Sequence, residues 1–128
     1  MIVIQPRGGL GNRMRAVDSA IALAEKLDKK LNVIWLLNSE CNCKFQDLFV
    51  LPDKINQLIQ FRVIKPFGVS YKALNLYYSY YHHYSCFDQK GIEEMIDQKE
   101  KLEEITLHNN VFISTFSRFY PSSSRPYA

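Results

Sequence analysis

Three short runs carry little but apolar and β-branched or aromatic side chains: Ile2-Val3-Ile4, Leu31-Asn32-Val33-Ile34-Trp35-Leu36-Leu37 and Val111-Phe112-Ile113-Ser114-Thr115-Phe116. Such runs fit strands buried on both faces. Between the first two, Met14 to Lys30 changes period: Met14, Val17, Ala20, Ile21, Ala24 and Leu27 recur at helical spacing and predict one apolar face. Asp18, Glu25, Lys26, Asp28, Lys29 and Lys30 are expected mostly on the other side, with the late lysines near the negative end of the helix dipole. Strand, helix and strand in this order predict a right-handed βαβ unit with parallel strands.

The rest of the chain is patterned less evenly. Asn38 to Lys44 is polar and reads as a loop, Phe45 to Phe49 as a helical turn ended by Pro52, and Phe61 to Ile64 as a third strand closed by Pro66 and Gly68. Ile55 to Ile59 is too short to assign. Tyr71 to Phe87 holds six tyrosines beside His82 and His83 and follows no period. Tyrosines set beside an apolar core bury their rings and leave the hydroxyl wet, although such a cluster can also stack on sugars or bases. Gly91 to Ile105 reads as a helix with Ile92, Met95, Ile96 and Leu102 inward. The expected fold is a Rossmann-like α/β parallel sheet flanked by helices over residues 1–120, with 121–128 a flexible serine- and proline-rich tail.

The 128 residues suit one domain, so only one half of an interdomain cleft fits. With 47% hydrophobic and 23% charged residues the chain has the composition of a folded globular protein. A net charge of +3, with its basic residues dispersed, argues against nucleic acid as a partner. Met1 leads directly into the first strand without a secretory leader, and no apolar run approaches the ~20 residues of a membrane span. Three cysteines make no disulfide framework, and cytoplasmic location is the expectation. Cys41, Cys43 and Cys86 with His82 and His83 lack the paired spacing of a structural zinc site, so no metal is expected. Nor does the sequence orient either histidine toward a cysteine as a catalytic base would require.

Candidate chemistry concentrates in Arg7-Gly8-Gly9-Leu10-Gly11-Asn12-Arg13-Met14-Arg15, where the first strand turns into the first helix. Glycines let the backbone turn sharply and approach a ligand, Asn12 offers an amide at the helix entrance, and Arg7, Arg13 and Arg15 add positive charge. A P-loop is excluded, and the spacing counts against a dinucleotide fingerprint, for which Glu40 could supply the acid only if the second strand ran longer. Met14 stands where a dinucleotide fingerprint has its third glycine, no acid closes the second strand, and no G-K-[ST] follows for a P-loop. A phosphate-receiving loop and a tight turn that binds nothing both remain open on spacing alone.

The segment Gly8-Gly9-Leu10-Gly11-Asn12-Arg13-Met14-Arg15-Ala16, directly after an N-terminal strand, resembles the start of bacterial fucosyltransferase-like glycosyltransferases, which begin with a G-G-L-G-N motif. Trp35 and Cys41-x-Cys43-x-Phe45-x-Asp47-Leu48-Phe49 also look like the stretch after their second strand, so the resemblance covers residues 1 to about 50. It implies the N-terminal half of a metal-independent GT-B enzyme, in which two Rossmann-like domains enclose a nucleotide sugar such as GDP-fucose and transfer its sugar to an acceptor hydroxyl of a glycan. No further cofactor is implied. Gly9, Gly11, Asn12 and Arg13 would then be donor-binding residues, with no catalytic residue assignable. Arg13 departs from the glutamine common in the 1,2-fucosyltransferase branch, which leaves donor and acceptor open. The family's donor-binding C-terminal domain has no counterpart in these 128 residues. The alternative is a non-catalytic nucleotide- or phosphate-binding α/β module.

Overall fold

A computed structural model describes residues 1–36, 53, 57, 59–64, 77–95 and 98–120. The loop and turn expected over Asn38 to Phe49, including Cys41 and Cys43, and the tail 121–128 lie outside the described residues. Five parallel strands form one sheet in the order β3-β2-β1-β5-β4: β1 Ile2–Pro6, β2 Leu31–Leu36, β3 Ile59–Ile64, β4 Ser85–Phe87 and β5 Val111–Thr115. Three helices are described: α1 Leu10–Leu27, α2 Gln89–Met95 and α3 Lys99–His108. The α/β Rossmann-like architecture expected from the apolar runs is therefore present.

The strand order explains which face each connection takes. From β1 to β2, and from β4 to β5, the chain steps in the same direction along the sheet. Right-handed crossovers then require α1, α2 and α3 to share a face. They do: Ile2, Ile4, Leu31, Val33, Trp35, Val111 and Ile113 pack in one cluster with α1, Ile92 of α2 and Leu102 of α3. The step from β3 to β4 runs the opposite way across the whole sheet, so its connection belongs on the other face. Tyr78 and Tyr84, from that connection, pack there against Val3, Ile34 and Phe112, with the Tyr78 ring stacked on Phe112 at 4.9 Å.

This placement accounts for the absence of a period in the tyrosine segment. Tyr77–Tyr81 is a single π-helical turn, followed by His83 in the left-handed region at φ 56°. Its Tyr78 ring covers the sheet while Tyr77 and His82 stay exposed and touch edge to face at 4.7 Å. Tyr78 and Tyr84 thus pack partly buried on the sheet, with Tyr77 and His82 exposed beside them.

Three expectations are corrected. The helix predicted over Gly91 to Ile105 is two helices, with Gln98 as the N-cap of the second. The first helix starts four residues before Met14, at Leu10, and is buried on more than one side. Asp18, expected outside, is only 5% exposed. The reason lies beyond β5: Phe119 and Tyr120 fold back over α1, the Phe119 N–H donates to Ser19 Oγ at 3.0 Å, and Arg118 Nη2 sits 3.9 Å from the Asp18 carboxylate.

At the other end of α1, Asp28 takes φ 52°, and the N–H groups of Asp28 and Lys29 bond to the carbonyls of Glu25 and Ala24. That is a left-handed helix cap of the kind usually made by glycine. Lys29 Nζ then donates to the Thr106 carbonyl, so one ammonium serves the negative ends of both α1 and α3. Asp28→Gly should raise unfolding stability by about 0.5–1 kcal/mol, because it removes both a left-handed Cβ and a negative charge at a helix C-terminus. Urea denaturation measures this directly, and an unchanged or lower midpoint would contradict it.

Candidate functional site

The glycine loop stands at the carboxyl ends of β1 and β5, where ligands of open parallel sheets bind. Arg7 N donates to the Thr115 carbonyl at 2.9 Å and carries the pairing of the two strands one step past Pro6. Gly8 then turns at φ +85°, a left-handed conformation that L side chains rarely adopt. A Cβ at that position would also press on Asn12, 3.1 Å from Nδ2 and 3.3 Å from its Cβ. Backbone conformation and space both demand glycine here.

Gly9 is the N-cap of α1 and has no side chain with which to cap it. The first helical bond is Arg13 N to the Gly9 carbonyl at 3.0 Å. The N–H groups of Leu10, Gly11 and Asn12 therefore have no acceptor among the described residues, and the first turn holds no acid. Three aligned donors and the positive end of the helix dipole face the sheet edge together. A Cβ on Gly11 would meet nothing within 4 Å, so Gly11 leaves open space beside those donors.

The other sequence-predicted residues divide into rim and support. Asn12 is half-buried, and its Oδ1 accepts from Arg15 Nη1 at 2.7 Å, which turns an exposed guanidinium toward the helix start. Arg7 is exposed at the base of the loop. Arg13, expected at the ligand, is 0% exposed and lies beneath the loop. Its Nε donates to the Gly8 carbonyl at 2.8 Å, and its guanidinium sits over the Trp35 ring at 5.0 Å. Arg13 thus acts on the loop from below by fixing its backbone. The Trp35 ring it stands on belongs to β2, which ties the loop to a second strand.

Residues beyond the glycine motif complete this edge. Gln89, the first residue of α2, accepts from Thr115 Oγ1 and, at 3.1 Å, from Phe116 N, while its Nε2 donates to Ser117 Oγ at 2.7 Å. The loop after β5 is thereby held rigidly beside the glycine loop. Sequence reasoning missed Gln89 because nothing in a lone glutamine before a helix marks its partner.

Among the described residues, the candidates Cys86, His82 and His83 do not join the site. Burial pushes the Cys86 thiol above its ordinary range, which counts against an activated nucleophile. His82 and His83 sit before β4, at the opposite end of the sheet from the glycine loop. Among the described residues, no three His, Cys, Asp or Glu side chains gather as a metal set. None of the described helices is long and apolar enough to cross a membrane. A pocket of about 150 Å³, lined by Met1, Lys30, Asn32, Gln57 and Gln60 among others, also opens at the amino-terminal edge, remote from the loop. Compared with known proteins, the chain matches no family model, no curated protein and no solved structure.

Arg13→Ala should cost about 3 kcal/mol of unfolding free energy, since it leaves the Gly8 carbonyl without its donor and a void against Trp35. Arg13→Lys should recover part of the loss, because an ammonium keeps the charge but not the planar Nε–H. Guanidinium unfolding of both variants tests the order, and equal midpoints for wild type and Arg13→Ala would refute the supporting role.

Proposed function

We propose that this chain forms the glycine-loop wall of a nucleotide-sugar site and is the N-terminal domain of a fucosyltransferase-like glycosyltransferase. The observation that carries the proposal is the uncapped start of α1, with the N–H groups of Leu10, Gly11 and Asn12 directed at the carboxyl edge of the sheet. A diphosphate placed there would accept hydrogen bonds from those donors and lie near the exposed side chains of Arg7 and Arg15.

In transfer of a sugar to an acceptor hydroxyl, negative charge grows on the departing nucleoside diphosphate. Fixed backbone donors and a helix dipole stabilise that charge without reorganising during the reaction. Gly8 and Gly11 keep side chains out of the approach, and Arg13 holds the Gly8 carbonyl so that the donors keep their direction. The acceptor and the remaining contacts to the nucleotide would come from a second domain across the cleft, as the resemblance of Gly8 to Ala16 implies. On this reading the isolated chain binds a nucleoside diphosphate weakly and turns over little or no GDP-fucose.

Gly9→Asp separates binding from folding. Gly9 has φ −73° and ψ 176°, open to any residue, and an aspartate there would cap the free N–H groups with its own carboxylate. Thermal stability should rise by a few tenths to about 1 kcal/mol. Calorimetric titration with GDP should show binding lost or weakened at least tenfold, because the anion site is then occupied and its charge reversed. A variant that is more stable and still binds GDP as wild type does would sink the proposal.

A further inference from the structure

At the carboxyl ends of the two central strands, the buried face opposite α1 changes character. Val3 and Phe112 are apolar there. Two residues further along each strand, the same alternation places Gln5 and Ser114, which are paired in register across β1 and β5. Strands buried on both faces ordinarily continue in apolar residues. Gln5 is 3% exposed and Ser114 fully buried, and Ser114 Oγ donates to Gln5 Oε1 at 3.0 Å. The two N–H donors of the Gln5 amide have no partner among the described residues. Gln5 Nε2 is not among the fully buried atoms left without a partner, so these donors keep a narrow opening to the surface through which an acceptor can reach them.

One further step along β5 on the same side comes Phe116, which is 42% exposed. Its Cβ lies 3.6 Å from where a side chain on Gly8 would begin, so it borders the glycine loop directly. The backbone under it is fixed by the Gln89 bonds and by Ser117 N donating to Thr115 Oγ1 at 3.1 Å. A ring carried on backbone this firmly held needs little ordering when it meets a ligand.

We propose that Gln5 and Phe116 recognise the sugar ring attached to the phosphate held at the start of α1. The Gln5 amide donates to a ring hydroxyl, and the Phe116 ring covers an apolar C–H face of the sugar. This rests on the reading of the loop as a nucleotide-sugar site. Proximity selects the sugar over the nucleobase: in a nucleoside diphosphate sugar, the sugar is joined directly to the outer phosphate, whereas the base is separated from it by the ribose and the inner phosphate. Phe116 borders the loop itself, and Gln5 lies in register with Ser114, two residues before Phe116.

The test titrates GDP and GDP-fucose against the full chain as wild type, as Phe116→Ala and as the double variant Gln5→Leu with Ser114→Ala. The double variant replaces both partners of a buried hydrogen bond by apolar groups and should fold as wild type does, which a thermal melt checks. Phe116 is exposed and its removal leaves the core intact. In wild type, saturation-transfer NMR should light up the sugar protons of GDP-fucose. In both variants the affinity for GDP-fucose relative to GDP should fall roughly three- to tenfold, with GDP affinity unchanged. Wild type that binds GDP but transfers no saturation to the sugar overturns this inference and leaves the loop reading standing. An unchanged ratio in the variants, or an equal loss of GDP, overturns it as well. If wild type binds neither ligand, the loop reading fails first and this inference fails with it.

Discussion

The bond from Arg13 Nε to the Gly8 carbonyl is the contact on which the working edge of this fold depends. A guanidinium with no exposed surface is tolerable only where hydrogen bonds and polarisable groups replace its water. Here the Gly8 carbonyl and the Trp35 ring do part of that. In return, one side chain on α1 fastens the end of β1 and the face of β2 to each other. The left-handed turn at Gly8 is thereby fixed, and with it the direction in which the first turn of α1 points. Without that restraint the glycines would leave the loop many conformations of similar energy.

The fold was legible where burial is two-sided and continuous. Ile2 to Ile4, Leu31 to Leu36 and Val111 to Thr115 announce strands because nothing polar needs to reach water from them. β3 begins two residues earlier than its apolar pattern, at Ile59, since strand pairing with Leu31 and Asn32 rather than hydrophobicity sets where it starts. The tyrosine segment resisted reading because its contribution is a ring laid flat on Phe112 from a π-helical turn, a job that imposes no period. Asp18 misled in the opposite way. Its charge suggests solvent, but the chain after β5 returns over α1 and brings Arg118 to it, a contact one hundred residues distant in sequence and invisible to local pattern.

At the candidate site, Gly8, Gly9, Gly11 and Asn12 were legible because glycines between a strand and a helix have few other reasons to cluster. Arg13 was legible as a residue of this site but not in its role, since sequence spacing does not say that its side chain turns under the loop. Gln5, Gln89 and Phe116 were not legible at all. Each is ordinary in isolation and acquires meaning only because the strand order puts β5 beside β1. That order differs from the common doubly wound arrangement, 3-2-1 followed by 4, in which the next strand in sequence flanks β1. Here β4 is a three-residue edge strand, and β5 takes the inner place with α2 and α3 behind it. The inner position buries β5 on both faces and brings the loop after it against the glycine loop.

Departures from local rules occur at both ends of the sheet, and the way they are resolved differs. At the amino-terminal end, the left-handed Asp28 is answered within the chain by bonds to Ala24 and Glu25, and the carbonyls near the end of α3 are answered by Lys29. Those two deviations are answered within the chain, although Thr106 Oγ1 stays buried there without a partner among the described residues. At the carboxyl end, α1 begins without a cap, the Gln5 amide keeps donors unpaired among the described residues, and Phe116 stays exposed on a firmly bonded loop. The uncapped helix start and the Gln5 N–H groups are left unanswered among the described residues. A stable α/β domain can do without all three, because a serine at Gly9, a leucine and alanine in place of the Gln5–Ser114 pair and a polar residue at Phe116 would each suit such a fold. Their concentration at one edge, beside a loop that a buried arginine holds in place, is the physical basis on which the proposed ligand site rests.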